Sequence, residues 1–302
     1  MGWLRRRLAL PAPLLPFLEE RLVAAGHLRL AAEQRPGEPI ARLEIFAEDA
    51  ADLPGPEDLA AWLAEAGDLG LPPADLCWED EAVPERDWNE GFRRRFARRR
   101  LLPEVEVLPP WDPAAPALRR RRPAPGAGAA LSLVIEPAHA FGTGEHPTTR
   151  GCLQRLAAWT RRHGGPFDCL DVGCGTGILS LAARRWGGAR VEGWDLDAAA
   201  VVNAHLNADL NGLAGELRFR WGEPRDLAPA AWDLVLANIF LGPILRLLPR
   251  LDAALRPGGT AILSGLLAAQ GPRVAEAAAA RGWEPAGQDE DAGWVVQEWR
   301  RL

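Results

Sequence analysis

The stretch LDVGCGTGILSLAA, residues 170–183, constrains the fold of this chain more than any other part of it. Leu170 and Val172 favour a buried strand, three glycines follow within the next five residues, and a helix-forming run begins at Ile178. Glycines let the backbone turn sharply and approach a ligand closely, and the first turn of a helix presents free N–H groups to that ligand. The pattern therefore predicts a strand, a tight loop and a helix that together bind a nucleotide.

The glycine spacing and the acidic residue after the next strand narrow the kind of nucleotide. A dinucleotide fingerprint has the spacing G-x-G-x-x-G, whereas the glycines here are Gly173, Gly175 and Gly177, so the third comes one place early. This spacing argues against a nicotinamide cofactor. The segment VEGWDLD predicts a strand that ends at Asp195, about 20 residues after the loop, where a carboxylate can accept hydrogen bonds from both ribose hydroxyls. Asp197 is expected to cap the following helix.

Strands and helices alternate from about residue 131 onward, which predicts an α/β domain with a doubly wound, Rossmann-like parallel sheet. The predicted strands are 132–136, 168–172, 190–195, 217–221, 233–237, 260–264 and 293–299, and the predicted helices are 147–162, 178–186, 198–211, 241–255 and 269–281. Ligands of such sheets bind at the carboxyl ends of the strands. The glycine loop, Asp195 and Asn238 each follow a strand, so we expect them to meet in one cleft.

The rest of the chain predicts a smaller domain and a connector. Residues 1–85 alternate short apolar runs with helix-like segments, which favours an α+β domain. Residues 86–125 are predicted to be a linker and connector, and residues 126–302 form the larger domain. Two arginine runs, 93–100 and 119–122, are interpreted as solvated faces, with contact to RNA as the alternative.

Composition excludes several classes of protein. A net charge of −6 does not favour a nucleic-acid or membrane-surface binder. The four cysteines form no C-x-x-C pair, so neither a metal site nor a disulfide framework is predicted, and a reducing cytoplasm fits best. The first 20 residues resemble a signal peptide, but three prolines interrupt the apolar run, and the first strand and helix of a folded domain is the favoured interpretation.

A glycine-rich segment, AFGTGEHPTTRGC at residues 140–152, is predicted to be a lid followed by a helix that begins near Pro147. His146 is either a general base or, as we favour, a histidine that fixes the loop through hydrogen bonds. Thr148 and Thr149 either satisfy N–H groups of the helix or reach the ligand. Both alternatives stay open on residue type alone.

Asn238 and Cys174 are the remaining candidates for chemistry. Asn238, in ANIFLGPI, either caps the following helix or accepts hydrogen bonds from an amine and orients its lone pair toward an electrophile. Cys174 lies within the glycine loop but has no neighbouring base in the sequence. We therefore interpret it as a small filler rather than a nucleophile.

Together these segments resemble the ribosomal protein L11 methyltransferases, the PrmA family of class I S-adenosylmethionine enzymes. The resemblance runs from Asp87 to the C-terminus and rests on DWNEGF, AFGTGEHPTT, LDVGCGTGILSLAA, GWDLD, NADLNG, LANIFLGPI, LRPGGTAILSGLLAAQ and WVVQEW. The glycine loop and GWDLD are shared by many methyltransferases. The AFGTG-HPTT, ANI and SGLLAAQ segments are more specific to this family.

The resemblance implies a seven-stranded methyltransferase domain that uses S-adenosyl-L-methionine and no metal. The cofactor contacts that it implies are Thr149, Gly173, Gly175, Asp195 and Asn238, together with Phe141 and Gly142. It also places Asn238 where related amine methyltransferases hold the nucleophile, and it assigns recognition of the ribosomal protein to residues 1–85.

The implied reaction is methylation of amino groups of ribosomal protein L11, on lysine side chains and, as a further acceptor, its N-terminal amine. The expected protein is a cytoplasmic monomer without a membrane or stable nucleic-acid partner. Two alternatives remain: a methyltransferase of another protein or of a small-molecule amine, and a non-catalytic nucleotide-binding module. Glu145 departs from the usual GTGTHPTT pattern, and it either attracts a cationic amine or is a surface variation.

Overall fold

The structure, a computed structural model, describes residues 3–27, 30–33, 38–83, 96–119, 129–136, 144–224, 227 and 229–302. The chain divides into two compact units, Met1–Arg95 and Phe96–Leu302. Some predicted features lie outside the described residues. These are Phe141 and Gly142 with the first part of the predicted lid, residues 86–95 and 120–125 of the predicted linker and connector, and parts of both arginine runs.

The described part of the first unit contains an antiparallel sheet and two helices. Its elements are β1 (Trp3–Pro11), α1 (Leu15–Ala24), β2 (Leu30–Glu33), β3 (Ile40–Ala47), α2 (Pro56–Asp68) and β4 (Trp78–Val83). The strand order is β2-β3-β1-β4. Alternate side chains of β1 and β3, such as Leu8 and Leu43, are buried, because one face of the sheet packs into the core. The segment that resembles a signal peptide thus forms β1 and α1 of a packed α+β unit.

Within the described residues, the second unit contains a sheet of seven strands and a sheet of three. Its strands are β5 (Arg99–Leu102), β6 (Val105–Leu108), β7 (Leu131–Val134), β8 (Phe167–Val172), β9 (Gly188–Asp195), β10 (Arg218–Trp221), β11 (Trp232–Asn238), β12 (Leu255–Leu267), β13 (Trp283–Asp291) and β14 (Trp294–Arg301). The larger sheet has the order β10-β9-β8-β11-β12-β14-β13. Its first five strands are parallel, and β14 and β13 add an antiparallel hairpin at one edge. The predicted α/β fold is confirmed.

From residue 131 onward, two strands differ from the sequence-based prediction. The predicted strand 132–136 is β7, but it pairs with β6 in the three-stranded sheet rather than joining the larger one. The seventh strand of the larger sheet is β13, which was not predicted because its sequence, WEPAGQDED, is polar and contains a proline. An edge strand with one exposed face needs few apolar residues, and a bulge near Pro285 accommodates the proline.

Helices cover both faces of the larger sheet. A short helix, α3 (Ala115–Arg119), packs against β7 instead. The helices on the sheet are α4 (Pro147–His163), α5 (Ile178–Arg185), α6 (Ala198–Leu210), α7 (Leu241–Ala254) and α8 (Gly271–Ala279), of which α6 contacts α3. One buried cluster joins α4, α5 and α6 to the face that contains Leu234 and Leu236, and a second joins α7 and α8 to the face that contains Val235 and Ala237. This alternation along β11 makes the sheet the middle of three layers. In the part of the chain that the structure describes, no helix is long and apolar enough to cross a membrane.

Candidate active site

The site lies where the strand order of the larger sheet reverses, between β8 and β11. The chain continues from β8 to β9 on one side of this point, and β11 pairs with β8 on the other. The glycine loop follows β8 and lies beside the end of β9, because the amides of Gly173 and Cys174 donate to the carbonyl of Trp194 at 2.7 and 3.0 Å. The structure thus brings the predicted glycine loop next to Asp195.

Gly173 must be glycine for two reasons. Its φ of +74° lies in the left-handed region, where a side chain is strained. A Cβ atom at this position would also clash with Cγ2 of Ile239, the residue after β11. The loop therefore passes close to the carboxyl end of β11, which brings the backbone of the loop to the edge of the cleft.

Asp195 is held by backbone donors on both oxygens. Its Oδ2 accepts from the amide of Gly175 at 2.8 Å, and its Oδ1 accepts from the amide of Asp197 at 3.0 Å. Burial raises the pKa of Asp195, while these backbone hydrogen bonds act in the opposite direction. A carboxylate can accept about four hydrogen bonds, so Asp195 retains capacity for two ribose hydroxyls. Asp197 caps α6 as predicted, by accepting from the amide of Ala199 at 2.8 Å.

Two exposed apolar side chains flank Asp195 and were not singled out from the sequence. Leu196 is 63% exposed and Trp221, at the end of β10, is 71% exposed. Trp221 Nε1 donates to the carbonyl of Leu196 at 3.0 Å, so the two residues are neighbours. An apolar surface of this kind suits the faces of a planar ring. In the sequence, this apolar surface was indicated by Leu196, which lies between two aspartates at the end of a strand.

Asp171 is a third residue of the site that was not predicted from the sequence. It lies in β8 just before the glycine loop and is fully buried. Its Oδ2 accepts from the hydroxyl of Ser180 at 2.6 Å, whereas its buried Oδ1 has no hydrogen-bond partner among the described residues. Burial raises the pKa of Asp171 to about 7, and the charge of Asp195 acts in the same direction. An acidic residue inside an apolar strand was the signal for it.

Asn238 ends β11 and faces the first turn of α4. Its Nδ2 lies 3.5 Å from the hydroxyl oxygen of Thr149, and its Oδ1 is buried without a hydrogen-bond partner among the described residues. The alternative role as a helix cap is not observed, because Phe240 occupies the N-cap of α7 and no side chain bonds there. The amide is therefore oriented by Thr149 and leaves one acceptor available.

His146 forms the N-cap of α4. Its Nδ1 accepts from the amide of Thr148 at 3.4 Å and lies 2.7 Å from the Thr148 hydroxyl. The ring meets Trp294 edge-on, with 4.6 Å between the ring centroids. These contacts favour the interpretation of His146 as a residue that fixes the loop before α4.

Cys174 and Glu145 are both accounted for by their surroundings. Burial raises the pKa of the Cys174 thiol well above its ordinary value, so it stays protonated, as expected of a filler. Glu145 pairs with Arg99 at 2.5 Å. Its charge is therefore compensated within the second unit rather than left to attract an amine.

These residues fit S-adenosylmethionine. Asp195 can bind a ribose, and Leu196 and Trp221 offer a face to a purine. Asp171 and Asn238 each have a buried oxygen near the glycine loop to which no described residue donates a hydrogen bond. A parallel sheet with an antiparallel edge hairpin, a glycine loop after one central strand and an acidic residue after the next define a class I S-adenosylmethionine-dependent methyltransferase.

Comparisons with known proteins identify the family within this class. Residues 57–301 match the family described as "Ribosomal protein L11 methyltransferase (PrmA)". A ribosomal protein L11 methyltransferase from Thiobacillus denitrificans is 34% identical over 98% of both chains, and one from Thermus thermophilus is 38% identical over 76% of this chain and 84% of its own.

A solved structure is also similar to this chain. It is a ribosomal protein L11 methylase from Lactobacillus delbrueckii subsp. bulgaricus, with a TM-score of 0.57 and 25% identity, and the match covers 68% of this chain and all of the other. The chain belongs to the ribosomal protein L11 methyltransferase (PrmA) family. It is therefore an S-adenosylmethionine-dependent enzyme, rather than a non-catalytic nucleotide-binding module.

Proposed function

We propose that this enzyme methylates ribosomal protein L11 at lysine side-chain amines, with the N-terminal amine of that protein as a second acceptor. The name shared by its relatives supports the identity of the acceptor. The observation that supports amine chemistry is Oδ1 of Asn238, a buried acceptor without a partner among the described residues. Modification of a ribosomal protein also supports action in the cytoplasm.

In this proposal the cofactor is held by Asp195, the glycine loop at Gly173 and Gly175, and Thr149, with Phe141 and Gly142 as further contacts. S-adenosylmethionine supplies a methyl group on a sulfonium, which is already activated for displacement. The enzyme's task is then to align the reactants and to exclude water from them. Leu196 and Trp221 bind the purine face. Oδ1 of Asp171, to which no described residue donates, accepts a hydrogen bond from the cofactor next to the glycine loop.

Asn238 positions the acceptor amine. A lysine amine has an ordinary pKa near 10.4, so it must lose a proton before it can attack. Desolvation in the cleft and a nearby positive charge both lower that pKa. Oδ1 of Asn238 accepts a hydrogen bond from the uncharged amine and directs its lone pair, and Thr149 holds the amide in that orientation. No strong general base is required for this step.

The first unit is proposed to recognise the ribosomal protein, with residues 1–85 as its functional part. The relative from Thiobacillus denitrificans matches nearly the whole chain, so this region belongs to the shared protein rather than to an added segment. An acceptor bound there reaches the second unit as a folded protein rather than as a short peptide.

The direct test uses isotopically labelled S-adenosylmethionine with L11 purified from cells that lack its methyltransferase. We expect the label on lysine residues of L11, located by mass spectrometry, and none on a mixture of other ribosomal proteins. Label confined to a different protein would show that the acceptor is wrong, while label on L11 carboxylates or on the guanidinium of arginine would show that the amine chemistry is wrong.

A further inference from the structure

A cavity of about 310 Å³ in the second unit has not been assigned a role. It lies between the first turns of α4, the end of β12 and the hairpin formed by β13 and β14. Among the residues that line it are Thr148, Arg150, Ser264, Asp289, Asp291 and Trp294. Its volume falls within the range of small-ligand sites, about 300–1,000 Å³, and exceeds the volume of one lysine side chain.

The cavity lies beside Asn238. Ser264, on its wall, is the register partner of Asn238 in the parallel pairing of β11 and β12, and adjacent strands lie about 4.8 Å apart. Thr148, also on the wall, is followed by Thr149, whose hydroxyl contacts the Asn238 amide. A side chain that enters the cavity therefore approaches Oδ1 of Asn238, which is available as an acceptor within the part of the chain that the structure describes.

The wall of the cavity combines apolar surface with negative charge. Trp294, Leu101 and Val296 contribute apolar side chains, while three consecutive carboxylates of β13 and one guanidinium, Arg150, contribute the charges. Arginines pair with Asp289 and Asp291, so the excess negative charge is that of the third carboxylate, Glu290. A lysine side chain has the matching chemistry, with an apolar stem and a cationic end.

The carboxylates on the α4 side of β13 are already paired with arginines. Asp289 pairs with Arg155 at 2.5 Å, and Asp291 pairs with Arg150 at 2.8 Å. The side chain of Asp291 is 61% exposed and that of Arg150 is 35% exposed. Such an exposed ion pair contributes little stability, so Asp291 can exchange Arg150 for another cation at small cost.

We propose that this cavity receives the lysine side chain of the protein acceptor and that Asp291 is a specificity-determining residue at its entrance. Arg150 occupies the position of the acceptor's ammonium when no acceptor is bound, and the incoming lysine replaces it as the partner of Asp291. Once the ammonium leaves Asp291 and enters the cleft, desolvation lowers its pKa, the proton passes to solvent, and the uncharged amine reaches Asn238. The inference rests on the proposed amine methylation.

The test compares three variants by steady-state kinetics with unmethylated L11. Asp291→Asn should raise KM for L11 roughly fivefold while kcat and the Kd for S-adenosylmethionine stay unchanged. Arg150→Gln frees Asp291 and should lower that KM or leave it unchanged. The matched control is Glu284→Gln, which removes one exposed carboxylate from the same strand outside the cavity and should match the wild type. Thermal melting checks that each variant is folded.

A rise in KM for Asp291→Asn without a rise for Arg150→Gln separates binding from a structural role. If the ion pair only stabilises the hairpin, Asp291→Asn and Arg150→Gln will raise KM alike, and the proposal is wrong. It is also wrong if Asp291→Asn behaves like Glu284→Gln. Methylation of L11 by the wild type in either case would leave the proposed function intact.

Peptide binding tests the role of the cavity separately from the proposed function. One probe is a short peptide of glycine and lysine, called the lysine peptide. The other is the same peptide with norleucine in place of lysine. Each peptide is titrated into the enzyme and followed by NMR in the presence of S-adenosylhomocysteine. The lysine peptide should bind the wild type more tightly than Asp291→Asn, and the norleucine peptide should not discriminate. This result with no methylation of L11 would support the lysine cavity and reject L11 as acceptor. Equal binding of both peptides would overturn the cavity assignment.

Discussion

Two buried oxygens near the glycine loop, Oδ1 of Asp171 and Oδ1 of Asn238, have no hydrogen-bond partner within the described residues. A buried acceptor left unpaired costs about 1–3 kcal/mol, so a ligand that supplies donors to both oxygens contributes more here than at an exposed surface. The two residues differ in one respect. Asp171 titrates, and Asn238 does not.

Asn238→Ala tests the role of the amide. We expect kcat to fall on the order of 100-fold, because the acceptor amine loses the group that orients it, while the melting temperature changes little. Steady-state kinetics with L11 and thermal melting are the measurements. A kcat near that of the wild type would remove Asn238 from the mechanism.

A second asparagine provides the control for that variant. Asn211 is fully buried and bonds both the amide and the carbonyl of Val134, so it links the end of α6 to β7. Asn211→Ala should therefore lower the free energy of unfolding by about 1–3 kcal/mol but retain most of kcat at a temperature where the variant is folded. The opposite profiles separate a structural amide from a functional one.

Asp171 predicts a specific pH dependence of stability. Its pKa is about 7 in the folded protein against an ordinary value of 3.8, so the unfolded chain releases this proton first as the pH rises. The stabilisation is present below pH 4 and is lost as the pH rises toward and beyond 7. Between pH 5 and pH 7 the cofactor-free wild type should lose about 2 kcal/mol more than Asp171→Asn, which stays neutral. Urea unfolding at the two values measures this, and equal losses would contradict it.

At the scale of helices and strands, the features that could be predicted are those that a short segment of sequence encodes by itself. The glycine loop, the helix after it and the cap at Asp197 follow from short segments, and the five helices predicted after residue 131 lie within two residues of their predicted limits. β7 is a strand, as predicted. It belongs to the three-stranded sheet because it pairs with β6, and no short segment of the sequence encodes that pairing. β13 was missed because an edge strand lacks the apolar alternation on which strand prediction relies.

The residues of the site also divide into those that short segments predict and those that depend on contacts between distant segments. Asp195 and Asn238 were predicted to meet because residues at the carboxyl ends of parallel strands share one edge. The contact of Asn238 with Thr149 and the pairing of Glu145 with Arg99 join distant segments, so the sequence alone could not indicate them. Leu196 and Trp221 were missed because exposure of an apolar side chain becomes visible only in three dimensions.

The glycine loop gives a prediction at this scale. Gly173→Ala combines a left-handed φ with a clash against Ile239, and it should lower the free energy of unfolding by roughly 3 kcal/mol and weaken binding of S-adenosylmethionine. Gly215 has a similar φ of +76° but open space around it, so Gly215→Ala should lower the stability by only about 1 kcal/mol. Urea unfolding and calorimetric titration measure both effects. Equal losses would show that the approach to Ile239 does not matter.

At the scale of the whole molecule, the two units have separate cores, and the residues proposed to bind the cofactor all belong to the second. The first unit contains its own buried cluster, including Phe17, Leu22 and Ile45. The two clusters that surround the larger sheet contain only residues of the second unit. Cofactor binding and recognition of L11 are therefore expected to be separable.

A truncated chain tests this separation. Residues 96–302 should bind S-adenosylmethionine with nearly the affinity of the full chain but should methylate L11 at least 100-fold more slowly, because the proposed recognition unit is absent. Calorimetric titration and the methylation assay measure the two properties, with circular dichroism as the check on folding. Full activity of a folded fragment toward L11 would show that the second unit recognises its substrate alone.

The edge position of the β13–β14 hairpin has an evolutionary consequence. Among the strands that the structure describes, β13 pairs with β14 alone, and most of its side chains are exposed, so substitutions there disturb few packing contacts. The glycine loop and the ends of β8 and β11 lie in the middle of the sheet and tolerate far less change. A lineage could therefore adapt this hairpin to a new acceptor by single substitutions, and diversification among related enzymes should concentrate in β13 while the central strands stay nearly constant.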